Sequence, residues 1–198
     1  MINLNDEGFD QKQTTFKPFN AGIAGLVENV TMSMSKKKKE EHEKAPDYKI
    51  VFTDEDGAIC NTSLYYITED TQYATKDQQV VKQGKILKHL LHAVISPTFK
   101  FPAFETEKAM LDGCMKALKD SATPGVKYRI FTNFGVKSSP KQFAQPRSWV
   151  PFIETMDVVE SRLTLSDLDA MERLAPDNDG PKKTKGAASA EVADEDWD

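Results

Sequence analysis

The alternation of apolar and polar positions predicts three strands in the first third of the chain. In "LVENVTMSMSK" apolar residues alternate with hydroxyl side chains, a period of two that is typical of a half-buried strand. A second alternating run, "YKIVFTDEDGAICNTSLYYI", is interrupted by Asp56 and Gly57, which tolerate the positive φ of a tight turn. We therefore expect one strand followed by a β-hairpin, whose return strand covers about residues 58–67.

The period then changes to helical spacing. "DQQVVKQGKILKHLLHAVI" predicts one helix, and a second is expected at about 105–119, so that a helical insertion occupies about 77–120. Beyond it, "VKYRIFTNFG" predicts a strand, "KSSPKQFAQP" a loop and "RSWVPFIE" a further short strand. Thr164 and Asp167, at capping-box spacing, predict a short helix over 161–175.

This order of elements indicates a mainly β fold with a helical insertion. Three strands, a helical section and two strands form the order of a five-stranded OB-fold barrel, whose helix lies between its third and fourth strands. A ferredoxin-like order fits less well, because no helix separates the first two strands. The predicted organisation is an extended lead-in over 1–20, an OB-fold domain over 21–160, the short C-terminal helix, and a disordered acidic tail over 176–198 with almost nothing to bury.

Composition narrows the class of protein further. A net charge of −5 over 198 residues excludes a globally basic nucleic-acid binder. Cys60 and Cys114 form no CxxC pair and are typical of small buried residues in a reducing compartment. With no basic-then-apolar leader and no apolar run of about eighteen residues, we expect no membrane association and a cytoplasmic location, the host-cell cytoplasm if the protein is phage-encoded.

The sign of the charge reverses locally between residues 121 and 153, where the sequence contains no Asp or Glu. Cations and aromatic rings interleave there, and single-stranded nucleic acid is bound by such surfaces, since cations neutralise phosphates and each stacked base contributes about 1–3 kcal/mol. A period of two places Lys127, Arg129 and Phe131 on one strand face. The predicted nucleic-acid-binding residues are Lys127, Arg129, Phe131, Lys137, Lys141, Phe143, Arg147, Trp149 and Tyr65.

Other interpretations of this segment stay open. It could be an ordinary strand with solvated basic side chains and core aromatics, and Phe134 and Phe152 are expected in the core. The pattern does not decide which of Tyr65 and Tyr66 faces a ligand. No phosphate-binding, nucleophile or metal-ligand motif occurs, so we expect a protein that is not an enzyme, and no cofactor or metal is assigned.

The chain ends in "ASAEVADEDWD", which carries five acidic groups from Glu191 onward and no basic group. Its carboxylates resemble a short phosphate backbone and its indole resembles a base, so the tail could occupy a basic groove until nucleic acid displaces it. A tail that only keeps the protein soluble is the alternative. The predicted partner-binding residues of the tail are Asp194, Glu195, Asp196, Trp197 and Asp198.

Four stretches, "FKPFNAGIAGLVENVTMSMS", "YKIVFTDEDGAICNTSLYYI", "YRIFTNFG" and "RSWVPFIE", together resemble the single-stranded DNA-binding proteins encoded by tailed bacteriophages. The resemblance covers roughly residues 16–155 and the last eight. It implies an OB core with an acidic C-terminal tail, and DNA binding without sequence preference in replication, recombination or repair. It also implies that the tail contacts replication proteins such as DNA polymerase or helicase, and it leaves the oligomeric state open.

Two rival functions remain at this point. An OB core could serve as a protein–protein adaptor of a replication complex, with its basic face turned to an acidic partner. An enzyme that uses the helical insertion as a lid is supported only by the length of that insertion. RNA binding also stays open, because stacking and phosphate contacts do not distinguish the two sugars.

Overall fold

The computed structural model describes residues 17–36 and 45–173, which form six strands and two α-helices. The strands are β1 (Gly25–Lys36), β2 (Tyr48–Thr53), β3 (Ile59–Leu64), β4 (Tyr128–Val136), β5 (Ser139–Pro146) and β6 (Ile153–Thr155), and the helices are α1 (Lys76–Val94) and α2 (Glu107–Ser121). One antiparallel sheet has the order β3-β2-β1-β4-β5, with β6 also paired to β4. The mainly β class and the helical insertion after the third strand are confirmed, but among the described residues no strand ladder closes this sheet into a barrel.

Strand β1 belongs to both halves of the sheet. Its first half pairs with β4, from Gly25 opposite Thr132 onward, and its second half pairs with β2. The register shifts between Val27 and Val30, where Asn29 has a φ of 58°. An irregularity of this kind bends a strand and increases its twist, so β1 can curve around the core.

The core lies between the inner face of the sheet and the two helices. Ile50 and Phe52 of β2 are fully buried, as the period of two predicted, and so are Leu111 and Leu118 of α2. Both helices begin at threonine caps, and Thr75 forms a full capping box with Gln78 at the start of α1. Neither described helix has the length and apolarity that a bilayer crossing requires.

One polar cluster holds α2 against the sheet. The hydroxyls of Tyr48 and Tyr66 donate to Oδ1 of Asp112 at 2.6 and 2.5 Å, and Nζ of Lys108 donates to Oδ2 at 2.6 Å. Burial opposes the ionisation of Asp112, but these hydrogen bonds outweigh it and hold the pKa of its carboxyl below the ordinary value. Tyr66 is therefore the packed tyrosine of its pair, whereas Tyr65 is 43% exposed.

The short helix predicted over 161–175 is absent from its described part, residues 161–173, so this prediction is wrong. The segment instead runs beside the end of β4, where Phe134 donates its N–H to the carbonyl of Ala170 at 2.8 Å and Ala170 donates to Gly135 at 2.9 Å. Asp169 forms a bridge with Val136 there and is fully buried. These long-range hydrogen bonds outweigh the local capping preference.

Two further expectations need correction. The loop predicted over 137–146 is largely strand β5, which tolerates Pro140 and Pro146 because it lies at the edge of the sheet. The lead-in predicted over 1–20 lies mostly outside the described residues, and where it enters them the chain forms a 3-10 turn at Phe19–Gly22. The predicted disordered tail over 176–198 lies outside the described residues.

Candidate nucleic-acid interface

The candidate interface is centred on β5, where this strand bulges out of its ladder with β4. Gly135 pairs with Pro140 and Asn133 pairs with Gln145. Between these two pairs, β4 advances by two residues and β5 by five. The three additional residues of β5 form an irregular bulge, a feature that often reorients side chains at functional sites. Gly135 has a φ of 87°, the left-handed conformation that glycine adopts without steric cost.

The bulge and the adjacent turn present a ring and two ammonium groups to solvent. Phe143 is 56% exposed, and Lys141, two positions before it, is exposed and donates to Oε1 of Gln145 at 3.4 Å. Lys137 is exposed in the two-residue turn that joins β4 to β5. Lys137, Lys141 and Phe143 together are called the β5 surface. Arg173, the last residue described, lies over the Phe143 ring, with 5.8 Å from its guanidinium carbon to the ring centroid.

Arg129 is engaged by two carboxylates. Its Nε donates to Oε1 of Glu28 at 2.9 Å and its Nη1 donates to Oε1 of Glu154 at 3.0 Å. The Arg129 side chain is only 12% exposed, and Glu154 is almost fully buried. A phosphate at this position would have to displace two partners, so the predicted role of Arg129 as a phosphate contact is corrected to a role in the fold.

Arg147 and Phe131, both predicted to contact nucleic acid, lie inside the protein. The Arg147 guanidinium is 2% exposed, pairs with Oδ2 of Asp169, and donates from Nε and Nη2 to the carbonyl of Pro151 at 3.2 and 2.9 Å. Its guanidinium carbon lies 4.1 Å from the centroid of the Phe131 ring, which is 6% exposed. Burial lowers the pKa of Arg147, while the attraction of Asp169 opposes that shift. Neither side chain is accessible to a nucleic acid, so both predictions are wrong.

Asp169 organises this buried site and was missed by sequence reasoning. In addition to Arg147, its carboxylate accepts from Nδ2 of Asn133 at 2.6 Å and from the N–H of Ser166 at 2.8 Å. The local pattern around it predicted a helix, which gave no sign of a buried carboxylate. The available signal was the acid-free segment itself, because any buried arginine there needs a carboxylate from elsewhere in the chain.

The other predicted contacts lie apart from the β5 surface. Lys127 is exposed at the start of β4, nine residues of strand away from Lys137 and therefore roughly 30 Å along the chain. Tyr65 follows β3, and its backbone exchanges hydrogen bonds of 2.9 and 3.0 Å with the Gln83 amide of α1. Trp149 lies three residues after β5, half buried beside the first turns of α1.

The solvent-facing side of strands β1, β2 and β3 was not predicted as part of the site. Strands β3 and β5 approach one another with Cα atoms within 8 Å, so this face adjoins β5. Lys49 and Val51 are partly exposed there, and Ile59 is 53% exposed. The alternation of apolar and polar residues predicted that these side chains face outward, but it did not predict that β5 would lie next to them.

The predicted tail contacts, Asp194, Glu195, Asp196, Trp197 and Asp198, lie outside the described residues. The described chain ends at Arg173, and therefore beside Phe143 of the β5 surface. Comparisons with protein-family models, with curated proteins and with solved structures found no match.

Proposed function

We propose that the protein binds single-stranded DNA without sequence preference, as an accessory factor of replication, recombination or repair. The observation that carries the proposal is the bulge of β5, which presents the Phe143 ring beside Lys141, with Lys137 at the adjoining turn. An exposed ring is a surface on which any base can stack, at about 1–3 kcal/mol per base. Lysines that neutralise phosphates supply affinity that does not depend on sequence.

The fold that we propose for this function is an OB barrel in which β5 lies against β3. Three features favour it. Strand β1 pairs with β4 through one half and with β2 through the other, β3 and β5 approach within 8 Å, and the helices lie between the third and fourth strands. OB folds bind oligonucleotides on the face of their second and third strands and on loops at the rim. Lys49, Ile59 and the β4–β5 turn occupy the corresponding positions.

We also propose that the acidic C-terminal tail competes with DNA for the β5 surface and contacts replication proteins once it is displaced. The position of Arg173 over Phe143 supports this, because the described chain ends beside the ring that would stack a base. The excess of carboxylates from Glu191 onward suits the lysines of the β5 surface. DNA polymerase and helicase are the partners that we would test first.

The test is a fluorescence-anisotropy titration of labelled oligo-dT with wild type and Phe143→Ala. Loss of one stacked base should weaken binding about 5- to 150-fold, the equivalent of about 1–3 kcal/mol. Tyr73→Ala is the matched control, since Tyr73 is 88% exposed and lies in the loop before α1, and it should bind as wild type does. Equal weakening by both variants would contradict a specific role for Phe143.

A second comparison isolates the phosphate contacts. Replacing Lys137 and Lys141 by alanine should reduce the log–log salt slope of binding by about 1.4, because each single-strand phosphate contact contributes about 0.7. Oligo-U measured in parallel distinguishes DNA from RNA preference. If wild type binds neither oligonucleotide, the proposal is wrong, and a protein–protein adaptor becomes the function to test.

A further inference from the structure

An open groove lies between the first turns of α1 and the segment that follows β5. It encloses about 360 Å³, within the size range of small-ligand sites, and it is mostly apolar. Val81 and the Trp149 indole supply much of this apolar lining, and Val81 is 58% exposed. Neither residue belongs to the β5 surface, so the groove requires its own explanation.

Two lysines give the groove a positive rim. Lys82 and Lys85 line it from successive turns of α1, and both are exposed. Within the described residues neither ammonium has an ion-pair partner, in contrast to Arg129 and Arg147. Asp77 is the one acidic side chain among the lining residues, so the rim carries a net positive charge.

The Trp149 ring lines the groove and suits a ligand with a flat face. Its indole Nε1 is buried and meets no acceptor among the described residues. Buried donors are seldom left unpaired in folded proteins, so such a group calls for an explanation. Because this atom is buried, it does not contact a ligand in the described conformation, but the π face of a nucleobase can stack on the indole.

The groove follows the β5 surface along the chain. Strand β5 runs from Ser139, opposite Val136, to Pro146, opposite Thr132, which is four steps along β4 or about 13 Å at 3.3 Å per residue. Trp149 follows three residues later. Tyr65 belongs to the same end of the molecule, because its backbone is hydrogen-bonded to Gln83 of α1. A nucleic-acid strand that follows β5 away from the turn therefore arrives at this groove.

We propose that the bound single strand continues past β5 into this groove, where one base stacks on Trp149 and Lys82 and Lys85 neutralise the flanking phosphates. The inference rests on the proposed function and extends its site onto α1. The combined path is compatible with a site of several nucleotides, within the range of about 4–16 that single OB folds cover. An acidic peptide has a related chemistry, and the test below distinguishes it from a nucleic acid.

The test uses the 198-residue chain with Trp197→Phe. This substitution removes one of its two tryptophans, so that Trp149 alone supplies the tryptophan fluorescence. Titration with 16-residue oligo-dT should quench Trp149 fluorescence as the anisotropy of labelled DNA rises. Adding Lys82→Ala and Lys85→Ala should weaken the quenching and reduce the salt slope by about 1.4. Lys116→Ala with Lys119→Ala is the matched control, since it removes two exposed lysines of the same spacing from α2 and should leave both readouts unchanged.

The outcomes separate this inference from the proposed function. Suppose that Lys82→Ala with Lys85→Ala changes neither the quenching of Trp149 nor the salt slope of binding, while Phe143→Ala still weakens binding. The groove is then not part of the DNA site, and the proposed function stands. If the wild-type chain does not bind oligo-dT, both fail. A third titration uses a peptide with the sequence of residues 191–198 that carries Phe in place of Trp197. If this peptide quenches Trp149 fluorescence and oligo-dT does not, the groove is a peptide site and the inference is overturned.

Discussion

Replacing Arg147 by methionine should destabilise the protein without changing the number of phosphates that it binds. Methionine can retain much of the apolar contact with Phe131, but it leaves the fully buried carboxylate of Asp169 without its cation. Asn133 and Ser166 continue to donate to that carboxylate, yet neither carries a charge. Removing one partner of a buried ion pair costs about 3–5 kcal/mol, because the remaining charge stays desolvated.

Urea unfolding followed by circular dichroism measures this loss. With a slope of about 2 kcal/mol per molar urea, the midpoint of Arg147→Met should fall by roughly 1.5–2.5 M. Adding Asp169→Asn removes the isolated charge, keeps an amide oxygen for the neighbouring donors, and should recover at least half of the loss. Lys141→Met is the control, from the strand that precedes Arg147, and as an exposed substitution it should change stability by less than about 0.5 kcal/mol.

One pair of results would refute the reasoning. If Arg147→Met unfolds at the same urea concentration as wild type, the ion pair does not stabilise the fold. If its log–log salt slope for oligo-dT also falls by about 0.7, Arg147 reaches a phosphate and must leave its buried position to do so. An unchanged slope together with a lowered midpoint would assign Arg147 to the fold alone.

Three further predictions concern titration, reactivity and backbone conformation. Burial, with a smaller effect of Lys88, lowers the pKa of His89 from 6.5 to about 4, so the unfolded chain binds the proton more readily and stability should fall as pH drops through this range. The loss of unfolding free energy between pH 7 and pH 5 should be no more than about 2 kcal/mol, because solvent screens a partly exposed ring. In urea titrations at the two pH values, His89→Gln should remove most of this loss, and an undiminished loss would contradict the assignment to His89. Burial raises the pKa of Cys60 to about 12 and also raises the pKa of Cys114. Ellman's reagent at pH 8 should therefore label neither thiol in the native protein and both thiols after denaturation, and rapid labelling of the native protein would argue against their burial. Gly135→Ala should cost about 1–2 kcal/mol, since alanine is strained at a φ of 87°, and an unchanged urea midpoint would show that the turn into β5 adapts.

The elements that the sequence predicted best are those whose burial follows from local periodicity. Ile50 and Phe52 on β2, and Leu111 and Leu118 on α2, are buried because a strand repeats every two residues and a helix every 3.6. Strand β5 was missed because its serines and prolines are typical of turns, and only its position at the sheet edge permits them in a ladder. That position depends on how β1 and β4 pair, which no local pattern encodes.

The helix predicted over 161–175 failed for a related reason. A capping signal is worth about 1 kcal/mol and acts over one turn of the chain. The described segment instead gains backbone hydrogen bonds to Phe134, Gly135 and Lys137, and it buries Asp169 against Arg147. Several long-range contacts therefore outweigh one local preference, and sequence periodicity contains no information about them.

The candidate site shows the same distinction between local and spatial charge. The segment from 121 to 153 has no acid of its own, which predicted an uncompensated basic surface. In space, Glu28 and Glu154 neutralise Arg129, and Asp169 neutralises Arg147. A one-dimensional count of charge thus overestimated the number of cations available to phosphate, since carboxylates 22 to 101 residues away complete the pairs.

Side-chain chemistry explains which of the predicted cations remained available. Both arginines are engaged in the fold, where a planar fork of donors can satisfy a carboxylate and a backbone carbonyl together, and weak hydration lowers the cost of burial. The three lysines of the same set, Lys127, Lys137 and Lys141, are exposed, because an ammonium is strongly hydrated and its flexible stem keeps it in water. In an acid-free segment that carries both residue types, the arginines are therefore the first candidates for buried pairing, and the lysines are the first candidates for a sequence-independent contact with nucleic acid.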